Sequence, residues 1–267
     1  MAALNQGWKY EVFGEGQSVM IALHGFNNAA GDFRVLLPSL GKKYTIYSFR
    51  LPFQNEADDN STVDAQLTTA ELKSMMEQFL ERHQINKFSI IGYSLGGRIA
   101  LQLISDFPGK VESAFLLAPD GLIFERWQKF VVRNKIGTSV YKSILHNPSP
   151  FLGMVRLMKK IRLIQPGLAE FIHRSLDTKE KRSLVWKTWA YFNNIHPDIG
   201  TVADTINKYT INFHMFFGRH DKVIPPSAGK KISARLDDKN CLHVVEIGHQ
   251  MIRDKMNEHL IPYVNLK

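Results

Sequence analysis

This sequence has a single cysteine and no long apolar run, and each of these absences excludes a class of protein. Cys241 is the only cysteine in 267 residues, so no intrachain disulfide can form, which fits a reducing cytoplasm. No apolar run approaches the roughly 20 residues that a helix needs to span a bilayer. Residues Met1 to Tyr10 have no apolar core of signal-peptide length, so we expect a cytoplasmic protein that is not secreted by that route.

Metal-ligand clusters are also missing from the sequence. No group of histidines and cysteines has the spacing of a zinc site, so no metal is predicted. His214 and His243 fall inside predicted strands, and we interpret them as histidines of the core or of a sheet face. Cys241 lies in an apolar run and is interpreted as a buried structural thiol.

The charged residues are unevenly distributed along the chain. The net charge is +9, and the segment from Gly121 to Gly200 has 14 Lys and Arg against 5 Asp and Glu. The basic and acidic residues of the remaining chain cancel. Because no nucleic-acid-binding motif accompanies this charge, we expect an anionic substrate, an acidic carrier protein or an anionic surface as its partner, and no nucleic acid.

Short apolar runs alternate with helical patterns over most of the chain. The continuous runs Ser18–Leu23 and Phe88–Ile91 are typical of buried parallel strands, and helical patterns follow them. The alternation stops between Gly121 and Gly200 and returns at Ile211. We therefore predict an α/β fold with a mostly parallel sheet and helices on both faces. Residues 1–120 and 201–267 would form the core, and residues 121–200 an inserted helical cap.

The segment Gly92-Tyr93-Ser94-Leu95-Gly96 has the Gly-x-Ser-x-Gly pattern of a nucleophile elbow. A strand is predicted before it and a helix after it, which is the context that this motif requires. In such a turn the serine hydroxyl is exposed at the edge of the sheet, and a side chain at either glycine would collide with its neighbours. Ser94 is therefore the predicted nucleophile.

A serine nucleophile needs a base, usually a histidine that a carboxylate orients. His249 follows the predicted strand Leu242–Glu246, at the same sheet edge as Ser94, and is the predicted base. Asp221 and Asp120 each lie just after other predicted strands. Loop context and the chain order Ser, Asp, His favour Asp221 as the orienting acid, and Asp120 is the alternative acid.

Acyl transfer also needs hydrogen-bond donors for the oxyanion of the tetrahedral intermediate. The backbone N–H of Leu95 follows the nucleophile and opens the predicted helix. A second donor should come from the loop His24-Gly25-Phe26, which follows the early strand, and the N–H of Phe26 is the predicted one.

These residues together resemble the α/β-hydrolase fold family, in its capped, single-domain serine type. The resemblance is carried by Leu23-His24-Gly25-Phe26, Gly92-Tyr93-Ser94-Leu95-Gly96-Gly97, Gly218-Arg219-His220-Asp221 and Gly248-His249. It implies an eight-stranded, mostly parallel sheet, a helical cap after the sixth strand and no cofactor. It also implies Ser94 as nucleophile, His249 as base and Asp221 as orienting acid.

One loop departs from the pattern of this family. Many relatives have Asp-x-Pro-Gly-x-Gly-x-Ser after the strand that ends here at Phe49, whereas this chain has Arg50-Leu51-Pro52-Phe53-Gln54-Asn55. Only the proline is retained, so the contribution of the Arg50–Ser61 loop to the pocket stays open. A serine nucleophile also argues against the dehalogenase and epoxide-hydrolase branches.

The predicted function is hydrolysis of a carboxylic ester or thioester through an acyl-enzyme on Ser94. The same three residues could serve a carbon–carbon bond hydrolase, an amidase or a lyase. The fold also occurs in non-catalytic ligand-binding proteins, which is a further alternative. Product analysis would distinguish among these reactions. The intact set of Ser, Asp and His argues against a non-catalytic binding protein.

The predicted cap is rich in aromatic and basic residues. Trp127, Trp186 and Trp189 lie in it, and Phe151–Ile164 is a candidate amphipathic basic helix. One interpretation is an apolar pocket for an acyl chain under a cationic outer face. The other is that the apolar residues only pack the cap and the charges form a solvated surface.

Overall fold

The computed structural model describes residues 8–53, 66–122, 135–164 and 166–264. Its strands are β1 (Tyr10–Phe13), β2 (Ser18–Leu23), β3 (Tyr44–Phe49), β4 (Phe88–Tyr93), β5 (Val111–Leu117), β6 (Asn212–Gly218) and β7 (Leu242–Val245). Its helices are α1 (Leu37–Leu40), α2 (Thr69–Arg82), α3 (Leu95–Asp106), α4 (Lys135–His146), α5 (Ser149–Lys160), α6 (Pro166–Ser175), α7 (Lys179–Tyr191), α8 (Ile199–Tyr209), α9 (Lys230–Ser233) and α10 (Met256–Val264).

The strands form one sheet in the order β1-β3-β2-β4-β5-β6-β7. All pairings are parallel except that of β1 with β3, where Tyr10 lies opposite Phe49. The predicted fold class is confirmed, but the expectation of eight strands is wrong by one. Strand β1 occupies the edge beside β3, and no further strand pairs with it in the part of the chain that the structure describes.

Helices cover both faces of this sheet, because successive strand residues point to opposite sides. Met20 and Ala22 of β2 share a hydrophobic cluster with Leu40 of α1 and Leu260 of α10. The opposite face is covered by α3, which packs against β2, β4 and β5 and against α8. Each fully buried aliphatic side chain contributes about 2 kcal/mol of hydrophobic free energy, so the continuous apolar strands are stable only between two helical layers.

Two helix boundaries differ from the simplest interpretation of the sequence. Helix α2 begins at Thr69 because Thr68 forms a capping box: its hydroxyl accepts from the N–H of Glu71 at 3.1 Å, and the Glu71 carboxylate accepts from the Thr68 N–H at 2.8 Å. The amphipathic pattern of the sequence predicts this helix over Val63–His83, and the predicted start at Val63 lies outside the described residues. The sequence also predicts the last helix over Met251–Leu260, and this start is wrong: the helix begins at Met256 after a turn.

The chain forms two compact units. The described residues of the first are 8–52, 68–122 and 195–264, and those of the second are 53, 66–67, 135–164 and 166–194. The first unit contains the sheet, and the second is helical. The expectation that the inserted segment caps the site stays a prediction.

The second unit has its own interior. The Arg182 side chain is buried and donates to the backbone oxygens of Leu145 at 3.2 Å and of Leu176 at 2.9 Å. The ring of Tyr141 stacks on Trp186, with centroids 5.0 Å apart, and the Tyr141 hydroxyl donates to the Arg182 carbonyl at 3.0 Å. These aromatic residues therefore pack within the unit, while Trp127 lies outside the described residues.

A ring of hydrogen bonds at the amino edge of the sheet joins β6 and β7 to α10. His214 Nδ1 lies 3.0 Å from His243 Nε2, and His214 Nε2 lies 2.9 Å from Asn212 Oδ1. The Tyr263 hydroxyl lies 3.3 Å from His243 Nδ1, and Asn212 Nδ2 donates to the Tyr263 carbonyl at 3.3 Å. We call these four residues the amino-edge ring.

Candidate active site

The nucleophile elbow is the turn between β4 and α3. Ser94 has φ 50° and ψ −115°, a conformation that side-chain-bearing residues rarely adopt. A Cβ at position 96 would lie 1.9 Å from the carbonyl oxygen of Leu23, and one at position 92 would lie 2.7 Å from the Gly96 oxygen. The glycines therefore let β4 turn directly into α3, as the sequence predicts.

Backbone hydrogen bonds hold this strained turn against the neighbouring strand. The Ser94 N–H donates to the carbonyl of Leu117 at 3.0 Å, and the Ser94 carbonyl accepts from the N–H of Asp120 at 2.9 Å. The same carbonyl accepts from Gly97 at 2.9 Å in the first turn of α3. Strand β5 and its loop thus offset the strain at Ser94.

The loops after β6 and β7 bring Asp221 and His249 together. His249 Nδ1 lies 2.7 Å from Asp221 Oδ2, and the Asp221 side chain is fully buried. Asp221 Oδ1 accepts from the N–H groups of Val223 at 2.8 Å and Ile224 at 2.9 Å. Because an ionised carboxylate only accepts hydrogen bonds, Nδ1 of His249 carries the proton and Nε2 keeps a lone pair that can accept one.

Close backbone contact explains why these two loops meet. The N–H of His220 donates to the Ile247 carbonyl at 3.0 Å, and the N–H of Arg219 donates to the Val245 carbonyl at 2.8 Å. A Cβ at Gly218 would lie 2.5 Å from the backbone oxygens of Ile247 and Gly248. Glycine at position 218 thus allows the approach of the two chains that places the carboxylate beside the imidazole.

Asp120, the alternative acid, has different partners. It forms an ion pair with Arg98 of α3, and its Oδ1 accepts from the N–H of Gly121 at 2.6 Å. A Cβ at Gly121 would lie 2.8 Å from the Arg98 side chain, so the chain turns tightly over this ion pair. The structure therefore pairs His249 with Asp221, and pairs Asp120 with an arginine.

The two predicted oxyanion donors lie on either side of the elbow. Leu95 is the first residue of α3, where N–H groups have no partner within the helix. Phe26 follows Gly25, whose Cβ, if present, would lie 3.1 Å from Ser94 Cβ and 2.8 Å from the Tyr93 ring. The loop after β2 thus passes directly beside the nucleophile.

His24, which the sequence analysis cites only as part of a motif, anchors this loop. It is buried, its Nδ1 lies 2.9 Å from the Gly25 carbonyl, and its Nε2 accepts from the Leu51 N–H at 3.1 Å. Burial lowers the pKa of His24, so the ring is neutral at pH 7, with the proton on Nδ1. The signal in the sequence that could have indicated this role is the position of His24 directly after the continuous apolar run Ser18–Leu23.

Tyr93 is the other site residue without a predicted role. Its ring centroid lies 5.5 Å from that of His249, and its hydroxyl donates to Gln250 Oε1 at 3.3 Å. Burial raises the pKa of Tyr93, so the phenol stays protonated. Tyr93 therefore connects the nucleophile strand to the loop that carries the histidine.

Comparison with known proteins agrees with this geometry. A family model described as the alpha/beta hydrolase fold matches residues 18–138. The fold is also similar to that of a meta-cleavage product hydrolase from Pseudomonas fluorescens IP01, with a TM-score of 0.61 and 18% identity over 96% of this chain and 93% of that one. The chain therefore has the alpha/beta hydrolase fold.

Two curated relatives match most of the length of this chain. The uncharacterized hydrolase YugF of Bacillus subtilis is 20% identical over 93% of this chain and 90% of its own. The monoacylglycerol lipase ABHD6 of Rattus norvegicus is 25% identical over 88% of this chain and 71% of its own. Hydrolase chemistry is thus common to the named relatives, while their substrates differ or are unassigned.

Two other features are absent from the residues that the structure describes. No group of three or more His, Cys, Asp and Glu side chains in that part of the chain could hold a metal ion. None of the helices found there has both the length and the apolarity that spanning a bilayer requires.

Proposed function

We propose that this hydrolase cleaves a carboxylic ester or thioester through an acyl-enzyme on Ser94. The observation that carries the proposal is the 2.7 Å hydrogen bond between His249 and the fully buried Asp221. It prepares His249 Nε2 to accept a proton, at a sheet edge where the chain also holds the partly exposed Ser94 in a strained turn. Similarity to a monoacylglycerol lipase favours esters with an apolar acyl chain.

The proposed reaction follows from the roles of these groups. His249 Nε2 removes the proton of Ser94 Oγ as that oxygen attacks the carbonyl carbon. The N–H groups of Phe26 and Leu95 donate to the oxyanion, a contribution of about 3 kcal/mol per donor in comparable sites. The protonated His249 gives its proton to the leaving alcohol or thiol as its bond to the carbonyl carbon breaks. Water then attacks the carbonyl carbon of the acyl-enzyme while His249 takes its proton, and the bond to Ser94 Oγ breaks as His249 returns that proton to Oγ and the carboxylic acid leaves.

Asp221 orients the imidazole throughout this cycle and stabilises it when it is protonated. Its three hydrogen bonds fix the carboxylate, so little reorganisation accompanies the change of charge on His249. Tyr93 and His24 act as positioning residues, because the one packs beside His249 and the other fixes the loop of Phe26.

Labelling with a fluorophosphonate probe tests the nucleophile. We expect the wild type to be labelled and Ser94→Ala to be unlabelled. Ser105→Ala is a matched control: Ser105 lies at the far end of the same helix, and its buried hydroxyl has no hydrogen-bond partner among the described residues. An unlabelled wild type, or equal labelling of Ser94→Ala, would contradict the proposal.

Turnover of a substrate panel tests the reaction class. The panel contains carboxylic esters and thioesters of increasing acyl length, in neutral and anionic forms, with amides and a carbon–carbon substrate of the meta-cleavage type for comparison. Esters or thioesters should be cleaved fastest. If the labelled enzyme cleaved only the amide or the carbon–carbon substrate, Ser94 would remain the nucleophile, but the proposed reaction class would be wrong.

A further inference from the structure

Helix α5 and the turn after it expose an unusual number of aliphatic side chains. Met154, Leu157, Ile161 and Leu163 are 49%, 57%, 55% and 68% exposed. Among the described residues eight large apolar side chains are exposed, and half of them lie within this one short segment. Apolar side chains scattered singly over a surface need no explanation, but a contiguous group indicates a surface that binds something.

The spacing of these residues places them on one side of the helix. Each residue advances about 100° around an α-helix, so Met154, Leu157 and Ile161 form a single stripe. The helix packs by a different side, through the buried Val155 and the partly buried Phe151. The exposed stripe is therefore additional to the face that holds the helix in its unit.

Four cations lie in the same segment as this stripe. Arg156, Lys159, Lys160 and Arg162 are all exposed, and the sequence from Ser149 to Ile164 contains no acidic residue. None of the four forms an ion pair within the described part of the chain. Elsewhere on the second unit exposed cations do have acidic neighbours, as Lys181 has Asp177 at 2.9 Å. This surface therefore combines uncompensated positive charge with uncovered aliphatic side chains.

We propose that residues 154–163 bind the surface of an anionic phospholipid bilayer. In such binding the helix lies in the interface plane, the aliphatic side chains enter the acyl boundary, and the cations contact the headgroups. The inference is independent of the proposed ester chemistry, since it concerns where the protein binds and not what it cleaves.

The residue types favour a bilayer over an acidic protein as the occupant. Protein interfaces are enriched in aromatic residues and depleted in lysine, whereas this surface has no aromatic side chain among its exposed apolar residues and has two adjacent lysines. It also offers no pocket for an anchor residue: a Cβ at Gly153 would have no atom within 4 Å. An exposed aliphatic stripe, on a segment that also carries four cations with no ion pair among the described residues, suits a fluid, anionic surface.

Co-sedimentation with vesicles tests the proposal directly. The full chain is mixed with vesicles of phosphatidylcholine alone, or of phosphatidylcholine with phosphatidylglycerol, at about 0.1 M ionic strength, where charges within about 10 Å still interact. We expect at least about tenfold stronger binding to the anionic vesicles, with weakening at high salt.

Two pairs of variants assign the binding to this surface. Lys159→Gln/Lys160→Gln should weaken binding about tenfold or more, whereas Lys230→Gln/Lys231→Gln, which removes two adjacent exposed lysines of α9, should leave it nearly unchanged. Ile161→Gln should weaken binding about tenfold, whereas Ile261→Gln, at a similarly exposed position of α10, should not.

Several results would overturn the proposal. These are the absence of binding to either vesicle, equal binding to neutral and anionic vesicles, or equal losses in the test and control variants. Binding of polyglutamate with the same variant sensitivity, in the absence of vesicle binding, would replace the bilayer with an acidic polypeptide. Fluorophosphonate labelling of each variant is measured separately, so a failure here is distinct from a failure of the proposed function.

Discussion

Strands β6 and β7 have a histidine network at each end, and the two networks differ in the partner they give the imidazole. At the carboxyl edge, His249 Nδ1 contacts the buried carboxylate of Asp221 at 2.7 Å. At the amino edge, His214 contacts another histidine and an amide, and both partners are neutral. An anionic partner stabilises an imidazolium, whereas a neutral buried partner does not.

The amino-edge ring has a single direction of donation. Asn212 uses its NH₂ group on the Tyr263 carbonyl, so its Oδ1 faces His214 and must accept. His214 Nδ1 must then accept from His243 Nε2, and His243 Nδ1 from the Tyr263 hydroxyl. Both rings are satisfied only when neutral, so the same residue type is a proposed base at one edge and a structural link at the other.

The largest expected effect comes from removing the carboxylate that contacts His249. Asp221→Asn should lower kcat about a thousandfold or more, because the imidazole then loses its tautomer and the stabilisation of its charged form. Asp120→Asn, which disturbs only the pair with Arg98, should cost less than about tenfold. Steady-state kinetics on the best ester measure kcat for both variants. A larger loss of kcat for Asp120→Asn would refute the assignment of Asp221 as the acid.

The second prediction concerns His24, a buried neutral histidine at the carboxyl edge. His24→Leu leaves the buried Leu51 N–H without its acceptor and loosens the loop of Phe26. We expect kcat to fall about tenfold to a hundredfold with little change in KM, because the oxyanion contact forms only in the transition state.

Ser48→Ala is the control for that loss, because it removes another fully buried hydrogen bond, from Ser48 Oγ to the Ala30 carbonyl at 2.8 Å. Both variants should lower thermal stability, but only His24→Leu should lower kcat. Equal kinetic losses would show that His24 acts through stability alone.

The pH dependence of stability tests the amino-edge ring. Burial lowers the pKa of His214 from 6.5 to about 4, helped by His243 and opposed by Asp238, and burial also lowers the pKa of His243, with His259 adding to that effect. Between these pH values the unfolded chain binds more protons than the folded one. Stability should therefore fall, by about 1–2 kcal/mol once partial exposure is allowed for, as the pH drops from 6.5 to about 4.

His214→Gln should flatten that slope, since it removes a titrating group from the ring. Urea unfolding of both proteins across this pH window measures the effect. Parallel curves for the wild type and the variant would show that the ring does not titrate as described.

The smallest expected effect concerns the tyrosine that closes the ring. Tyr263→Phe removes the donor to His243 and should cost about 1 kcal/mol of unfolding free energy with no change in kcat. Tyr10→Phe is a matched control, because the Tyr10 hydroxyl also bonds a histidine, His83, at 2.9 Å outside any ring. A loss of activity in Tyr263→Phe would mean that the two edges are coupled.

Local patterns predict the parts of the fold that depend on neighbouring residues. The elbow follows from a strand, two glycines and a helix in immediate succession, and the structure has that turn at Ser94. The sequence also places Asp221 and His249 after strands, and loops after parallel strands share one sheet edge, so their pairing is a reasonable expectation.

Features that depend on distant packing are not predictable in this way. The partner of Asp120 is Arg98, and no pattern within the helical segment indicates that an arginine will face it. The Tyr263 contact with His243 depends on how α10 packs against β7, and the start of that helix at Met256 rather than Met251 reflects a turn in which the Met256 N–H donates to Arg253 at 3.0 Å. The contacts of Asp120 with Arg98 and of Tyr263 with His243 depend on tertiary packing, which local propensity does not encode.

The close packing around the elbow limits the substitutions that this chain can accept. An added methyl would meet backbone at Gly92 and Gly96 and Pro119 at Gly97, so these three positions admit no other residue without moving the start of α3, the end of β2 or the loop after β5. The backbone that presents Ser94 is therefore closed to substitution at all three glycines.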